Sequence, residues 1–386
     1  MSDSGLRAIR LMRIRLLLLA VFFTVVRTAA FSPPSADQLY MAITRDVPAD
    51  KYVYNWRDAV LLKSLTDVYR SCPEQRESIA SYVQEAMYRV APNAHGIHPN
   101  GIASAVGFAF LQEIGRNTVE TDAALERVIF QYNNMLRTAD GACSHRADRV
   151  ELWDDTLYML DMTLVGCYRA TGDTRYLDML ANEIILHSKR LFDSHSGLWY
   201  HAWAQSDVPV SDECGQDGWN CNPQHRNSEF WGRGNGWIAM ALVDVLEYLP
   251  KSSPHYKQLK GMFCKMMKSL RRVQDDSGMW YQLPAHPGDA GNYLESSCTA
   301  MFGYAAAKGS RLGLLTRRYS KMAWKSWSGI KGGCLKYEPD GVYLTRICPG
   351  TCVGDKDYYY SRGVVACGES YALGAAIMLW NEIENY

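Results

Sequence analysis

Apolar residues return every three or four positions in six stretches of the chain: Ala59–Tyr69, Ala103–Ile114, Leu157–Tyr168, Trp237–Tyr248, Cys298–Lys308 and Tyr371–Ile383. That spacing is the helical period. Further helical stretches follow at Ala80–Val90, Asp122–Leu136, Arg175–Leu191, His255–Val273 and Leu314–Trp327. Between the units stand turns in which Gly follows an Asp closely: Asp140-Gly141, Asp193 to Gly197, Asp276 to Gly278 and Asp340-Gly341. Glycine supplies the positive φ such turns need, and a short extended piece follows each. A unit of helix, turn, helix and hairpin loop repeated about six times predicts a stacked or closed helical array. The irregular spacing fits an enzyme with loops on one rim better than a simple solenoid. The expected fold is therefore all-α, an (α/α)6 barrel with short β-like loops on one rim. An open solenoid is the alternative.

Composition narrows the function classes. The 386 residues carry 41 basic and 41 acidic side chains, so the basic excess that marks a nucleic-acid binder is missing. Arg7, Arg10, Arg13 and Arg15 precede the apolar run Leu16–Val26, and small residues follow at 28–30. This reads as a signal peptide over residues 1–30, with a single domain over 31–386 and a secreted product. The apolar run falls short of the roughly 20 residues a membrane span needs, so no membrane contact is expected after cleavage. A secretory start makes disulfides the default for the eleven cysteines. Cys214 and Cys221 flank a loop and are placed to bridge locally. Cys298, within an apolar helical run, is expected to be a buried free thiol.

Three clusters carry candidate chemistry. In His145 to Met159, the adjacent Asp154 and Asp155 precede an apolar helix. Helix capping is the plain explanation for such acids. Neighbouring positions differ by about 100° around a helix, so only one of the two can point into a central pocket. In Phe230-Trp-Gly-Arg-Gly-Asn-Gly-Trp237, three alternating glycines predict a loop whose backbone runs close to something else. Arg233 there has the fork geometry that grips a carboxylate. The third cluster is His195, Trp199, His201 and Trp203 on an extended piece. It lacks the convergent ligands of a metal site, and no metal is expected.

Together these motifs resemble the unsaturated rhamnogalacturonyl hydrolases, glycoside hydrolase family 105, relatives of the unsaturated glucuronyl hydrolases. The resemblance is carried by Trp153-Asp-Asp-Thr-Leu-Tyr-Met159, Gly172-Asp-Thr-Arg-Tyr176, Gly197-Leu-Trp-Tyr-His201 and Trp231-Gly-Arg-Gly-Asn-Gly-Trp237. Glu295 to Met301, Lys308 to Gly313 and Gly354 to Tyr359 continue it. It implies an (α/α)6 barrel, no cofactor, and an unsaturated uronic-acid oligosaccharide as the partner of an expected monomer. It also implies an unusual reaction. An acid protonates C4 of a C4=C5 double bond in the terminal uronate, water adds at C5, and the glycosidic bond breaks as the hemiketal opens. By motif position the acid is Asp155. Arg233 would face the uronate carboxylate between Trp231 and Trp237. His145, His201, Asn235 and Trp56 would complete the pocket.

One departure stands out. Where the family usually has a second pocket Asp, this chain reads His95-Gly-Ile-His-Pro-Asn-Gly101, with Asn100 in that place. An amide holds a hydrogen bond but exchanges no proton at neutral pH. Asp155 then acts alone, another acid such as Asp154 helps, or activity is altered. Two competing readings follow: another helical-barrel polysaccharide-degrading enzyme, and a catalytically altered carbohydrate-binding protein.

Overall fold

Asn55 caps the first inner helix by accepting a hydrogen bond from the Asp58 amide, and the chain then winds through a succession of paired helices. The computed structural model describes residues 47–206, 219, 221–338 and 341–384. The expected signal peptide and Cys214 lie outside them, and Cys221 carries no disulfide, which corrects the expected Cys214–Cys221 bridge. In chain order the helices are α1 (Trp56–Ser71), α2 (Arg76–Val90), α3 (Pro99–Ala103), α4 (Val106–Glu113), α5 (Val119–Asn133), α6 (Asp155–Thr171), α7 (Arg175–Leu191), α8 (Gly232–Tyr248), α9 (Tyr256–Arg272), α10 (Ser296–Arg311), α11 (Arg318–Gly333), α12 (Lys356–Ser361) and α13 (Ser370–Glu384). Three two-stranded antiparallel ladders decorate them: β1 (Glu151–Trp153) with β2 (Ala202–Ala204), β3 (Trp280–Tyr281) with β4 (Leu294–Glu295), and β5 (Leu335–Glu338) with β6 (Gly341–Leu344).

Helix α1 packs on α3 and α4, α4 on α6, α6 on α8, α8 on α10, α10 on α13, and α13 back on α1. The ring is closed, which rules out the open solenoid. Inner helices are buried nearly all round: every residue of α8 from Gly232 to Leu246 is buried except at its C-terminal end. Outer helices bury one stripe, as the amphipathic pattern requires. In α9, Leu259, Met262, Phe263, Met266, Met267 and Leu270 face inward, while Lys257, Lys265, Lys268 and Arg271 face water.

Two departures from the sequence reading have local causes. The expected helix 103–114 is broken into α3 and α4 around Ser104, whose hydroxyl donates to the Asn55 carbonyl (2.8 Å) and accepts from the Tyr52 hydroxyl (3.1 Å). The glycine-rich segment is not a loop but the start of α8. Side chains at all three glycines would strike neighbours: a Cβ at 232 would sit 2.8 Å from the Gln282 carbonyl, one at 234 would meet the Asp154 carboxylate, and one at 236 would sit 2.6 Å from Met301 Sδ. Close packing thus outweighs the usual cost of glycine in a helix.

All six inner helical units start at one end of the ring. The C-terminal ends gather Lys63, Asp67, Asp244, Glu247, Lys308, Arg311 and Glu382 around a cavity of about 360 Å³. Lys308 pairs with Asp244 at 2.8 Å and with Glu247 at 2.7 Å, and Arg311 with Glu382 at 2.7 Å. The middle is filled: Tyr158 stacks on Trp237 (centroids 5.2 Å apart) and its hydroxyl reaches Met378 Sδ.

Ring closure makes a prediction. At Gly374 of α13, a Cβ would lie 2.7 Å from the Val60 carbonyl of α1. Gly374→Ala should cost about 1–3 kcal/mol by overpacking. Gly261 on the outer α9 has nothing within 4 Å. Gly261→Ala should stabilise by about 0.5–1 kcal/mol, since alanine suits a helix better. Urea denaturation of both variants checks the pair.

Candidate active site

The β1–β2 ladder places the two carboxylates. Trp153 pairs with Ala202, and the Asp154 amide donates to the His201 carbonyl at 2.9 Å. Helix α6 then starts at Asp155, and Asp154 makes no side-chain capping bond. The two acids diverge. Asp155, whose side chain is 18% exposed, lines a cavity of about 440 Å³ at the N-terminal ends of the inner helices. Asp154 is wholly buried and lies against Gly234 of α8, where any Cβ would collide with its carboxylate. The absence of a side chain at 234 therefore settles which Asp turns inward to the core and which faces the cavity.

Behind Asp155 runs a chain of donors. The Gly354 amide donates to the Tyr359 phenol oxygen (3.3 Å), which lies 2.7 Å from His201 Nδ1. An ionised Asp155 can only accept, so His201 Nε2 carries the hydrogen it donates to Asp155 Oδ2 at 3.0 Å, and a neutral ring then accepts the Tyr359 phenol proton at Nδ1. His201 is fully buried, stacked on Trp231 with centroids 4.6 Å apart. Burial raises the Asp155 carboxyl, but the hydrogen bond from His201 outweighs it and holds the group below the usual carboxylate range. Asp154 goes the other way: burial, then the adjacent Asp155 charge, pushes it well above that range. His145 stacks on Trp153 (4.6 Å, 9°), bonds Thr156 Oγ1 through Nδ1 (2.9 Å), and is driven by burial down to about 3. It is neutral at physiological pH.

Of the residues singled out in the sequence, Trp56, Asn100, His145 and Asp155 line the cavity, and His201 supports Asp155 from behind. The other four do not reach it. Arg233 is 1% exposed and donates to the carbonyls of Cys348 (2.5 Å) and Pro349 (2.6 Å). Its guanidinium lies between Trp231 (4.3 Å) and Tyr371 (4.7 Å). A buried cation needs such partners, and they leave its fork turned away from the cavity. The expectation that it meets the uronate is thus corrected: Arg233 anchors the loop whose next residues, Gly350, Thr351 and Cys352, form the cavity wall. Cys352 is disulfide-bonded. Trp231 and Trp237 are packing rings rather than walls. Asn235 ties the helix start to the neighbouring chain, accepting from the Trp199 amide and donating to the Trp199 and Trp231 carbonyls.

Sequence reasoning missed the cavity's own cations, Arg57 and Arg146, and the role of Tyr359. Tyr359 closes one of the resembling motifs, which was the available signal. Ligand atoms of Asp154, Asp155 and His201 lie within 4.8 Å of one another, a spacing a cation accepts. In the arrangement described, His201 Nε2 is engaged with Asp155 at 3.0 Å. The expected buried thiol of Cys298 is in place, with no disulfide and no exposed surface.

Residues 36–386 match the model of the family described as Glycosyl Hydrolase Family 88. The chain belongs to that family. It is a glycoside hydrolase of the group that hydrolyses unsaturated uronic acid oligosaccharides. The unsaturated rhamnogalacturonyl hydrolase YesR of Bacillus subtilis is 24% identical over 335 residues, 83% of this chain and 88% of that protein. A crystal structure of a possible member of the GH105 family from Salmonella enterica serovar Paratyphi A is 26% identical. It superposes with a TM-score of 0.71 over 86% of this chain and 84% of the other. A family 105 glycoside hydrolase structure from C. acetobutylicum, 24% identical, reaches a TM-score of 0.74 over 90% of this chain and all of that one, and shares the fold.

Two outcomes are expected. In NMR titration between pH 8 and 5, the His145 ring resonances should stay at their neutral positions, since its folded value lies near 3. Tyr359→Phe removes the donor to His201 Nδ1. It should lower kcat roughly 10-fold or more with little change in KM, measured by steady-state kinetics, because the orientation of a buried acid–base pair is part of its efficiency.

Proposed function

We propose that the enzyme removes the terminal Δ4,5-unsaturated uronic acid from rhamnogalacturonan-derived oligosaccharides, with Asp155 as the group that protonates C4. The observation that carries this reading is the position of Asp155: it starts α6, faces the cavity, and has His201 at 3.0 Å behind it. Asp148 is the other acid on the cavity lining, and it is held at the surface by Arg149 at 2.5 Å. Trp56 and Trp153 offer apolar ring faces, and Asn100, His98 and His145 offer polar partners for hydroxyl groups. Arg57 and Arg146 line the same cavity, paired with Glu369 at 2.8 Å and Asp148 at 3.4 Å, and the positive ends of inner helices face it. Both suit an anionic sugar. The kinship with YesR of Bacillus subtilis supports rhamnogalacturonan as the source.

The chemistry balances on one carboxyl group. Protonated Asp155 gives its proton to C4, and charge develops at C5 beside the ring oxygen. Water adds at C5 and returns a proton to the Asp155 carboxylate. The hemiketal so formed opens and releases the neighbouring sugar. This differs from the displacement carried out by two opposed carboxylates in ordinary glycosidases.

The test follows the ultraviolet band of the conjugated enol acid while purified protein meets a lyase-generated rhamnogalacturonan disaccharide. Wild type should abolish the band, and Asp155→Asn should slow its loss by about 10²–10⁴-fold, the usual worth of a positioned acid. A band that persists with wild type, on this and on glycosaminoglycan-derived substrates, would sink the reading. Secretion is proposed from the arginines before Leu16–Val26 alone. An intact N-terminus on cytosolic protein would count against it.

A further inference from the structure

Resting on the hydration reading above, the proposal concerns an acid that the cavity does not show. A hydration acid has to carry a proton when substrate arrives. Asp155 is poorly disposed to do so unaided, because His201 donates to it and stabilises its ionised form. Among the described residues no second acid faces Asp155 from the cavity lining, where Asn100 presents an amide. Asp148, at the rim, is ion-paired with Arg149.

Asp154 lies directly behind. It is completely buried, and apart from its neighbour Asp155 no group among the described residues makes a well-formed hydrogen bond to either of its oxygens. As a carboxylate it would be both desolvated and unsatisfied, which is costly. As a neutral acid it has its own O–H to donate, and the Asp155 carboxylate beside it is the acceptor. The charged and titratable groups around it are few. Asp155 is its neighbour at the start of α6, and His201, from the lead into β2, has Nε2 at 3.9 Å. Arg233 of α8 acts at longer range and is committed to two backbone carbonyls, and Tyr359 of α12 is bonded to His201. None supplies a direct counter-charge. Two carboxyl groups this close share one proton rather than both ionising. The fit is tight by construction, since only a glycine at 234 leaves room for the Asp154 carboxyl.

We propose that Asp154 is a positioning residue that stores the proton Asp155 delivers. In the resting enzyme Asp154 is neutral and Asp155 ionised. The proton passes from the Asp154 oxygen to the Asp155 oxygen, and Asp155 then donates it to C4 of the substrate. Both acids are ionised at that moment, and the water attacking C5 restores the missing proton to Asp155, from which it returns to Asp154. One water is consumed and no proton is gained or lost by the enzyme over the cycle. The chain thereby replaces a second acid facing the substrate with one placed behind the first.

The test is kinetic and uses the full-length enzyme on the unsaturated disaccharide. Asp154→Asn keeps the shape and neutrality of the protonated side chain but has no proton to give. It should lower kcat about 100-fold with KM nearly unchanged, within the range typical of lost proton transfer. Adding Asn100→Asp to that variant should recover part of kcat, because an acid is restored to the site; a purely structural role for Asp154 predicts no recovery. Wild-type kcat should stay level through the ordinary carboxylate range near 4 and decline on the alkaline side, where the pair loses its single proton. Wild-type activity in Asp154→Asn would overturn the proposal, as would a wild-type profile that declines from about pH 4 upward, a measurement independent of whether the variant folds. Inactive wild type would instead refute the hydration reading itself, so the two failures are distinct.

Discussion

The reactive end of this molecule depends on one close approach, between the backbone of α8 at Gly234 and the carboxyl group of Asp154. Because the helix has no side chain there, the turn before α6 can sink until Asp154 is out of water and Asp155 is left facing the cavity. The same helix start carries Arg233, which fixes the Cys348–Pro349 carbonyls and with them the loop forming the opposite wall. It also carries Asn235, which binds the strand-like segment leading to His201. Three residues of α8 thus set the positions of the acid, its histidine and the loop, although none of them lines the cavity.

Much of the architecture was legible because inner and outer helices differ in kind. Periodicity located the helix of α7 to the residue and found every inner helix. What it could not show were interactions between distant parts of the chain. The break at Ser104 is made by Tyr52 and Asn55, some fifty residues upstream. The glycines of α8 read as a loop because their value lies in contacts with Asp154, Gln282 and Met301, none of them adjacent in sequence.

The site was legible as a set of residues and misread as a geometry. Asp155, His145, Trp56 and Asn100 share the cavity as the motifs suggested. Arg233 was assigned to substrate because a fork of donors so often meets a carboxylate, yet here two backbone carbonyls and two aromatic faces satisfy it. Adjacent acids such as Asp154 and Asp155 cannot be ranked from spacing, because their environments diverge only after folding. Tyr359 acts across 158 residues of sequence and gave no local sign of its part in setting the histidine.

The filled middle of the ring has a consequence for traffic. Tyr158, Trp237 and Met378 separate the cavity from the ion-paired chamber at the far end, so the reaction chamber is a dead end. A polymer cannot be threaded through it; only a chain terminus can enter, to the depth of the aromatic floor. Arrival and departure share one doorway, and a released sugar that lingers blocks the next customer. Entry and exit at that end of the ring therefore use the same opening.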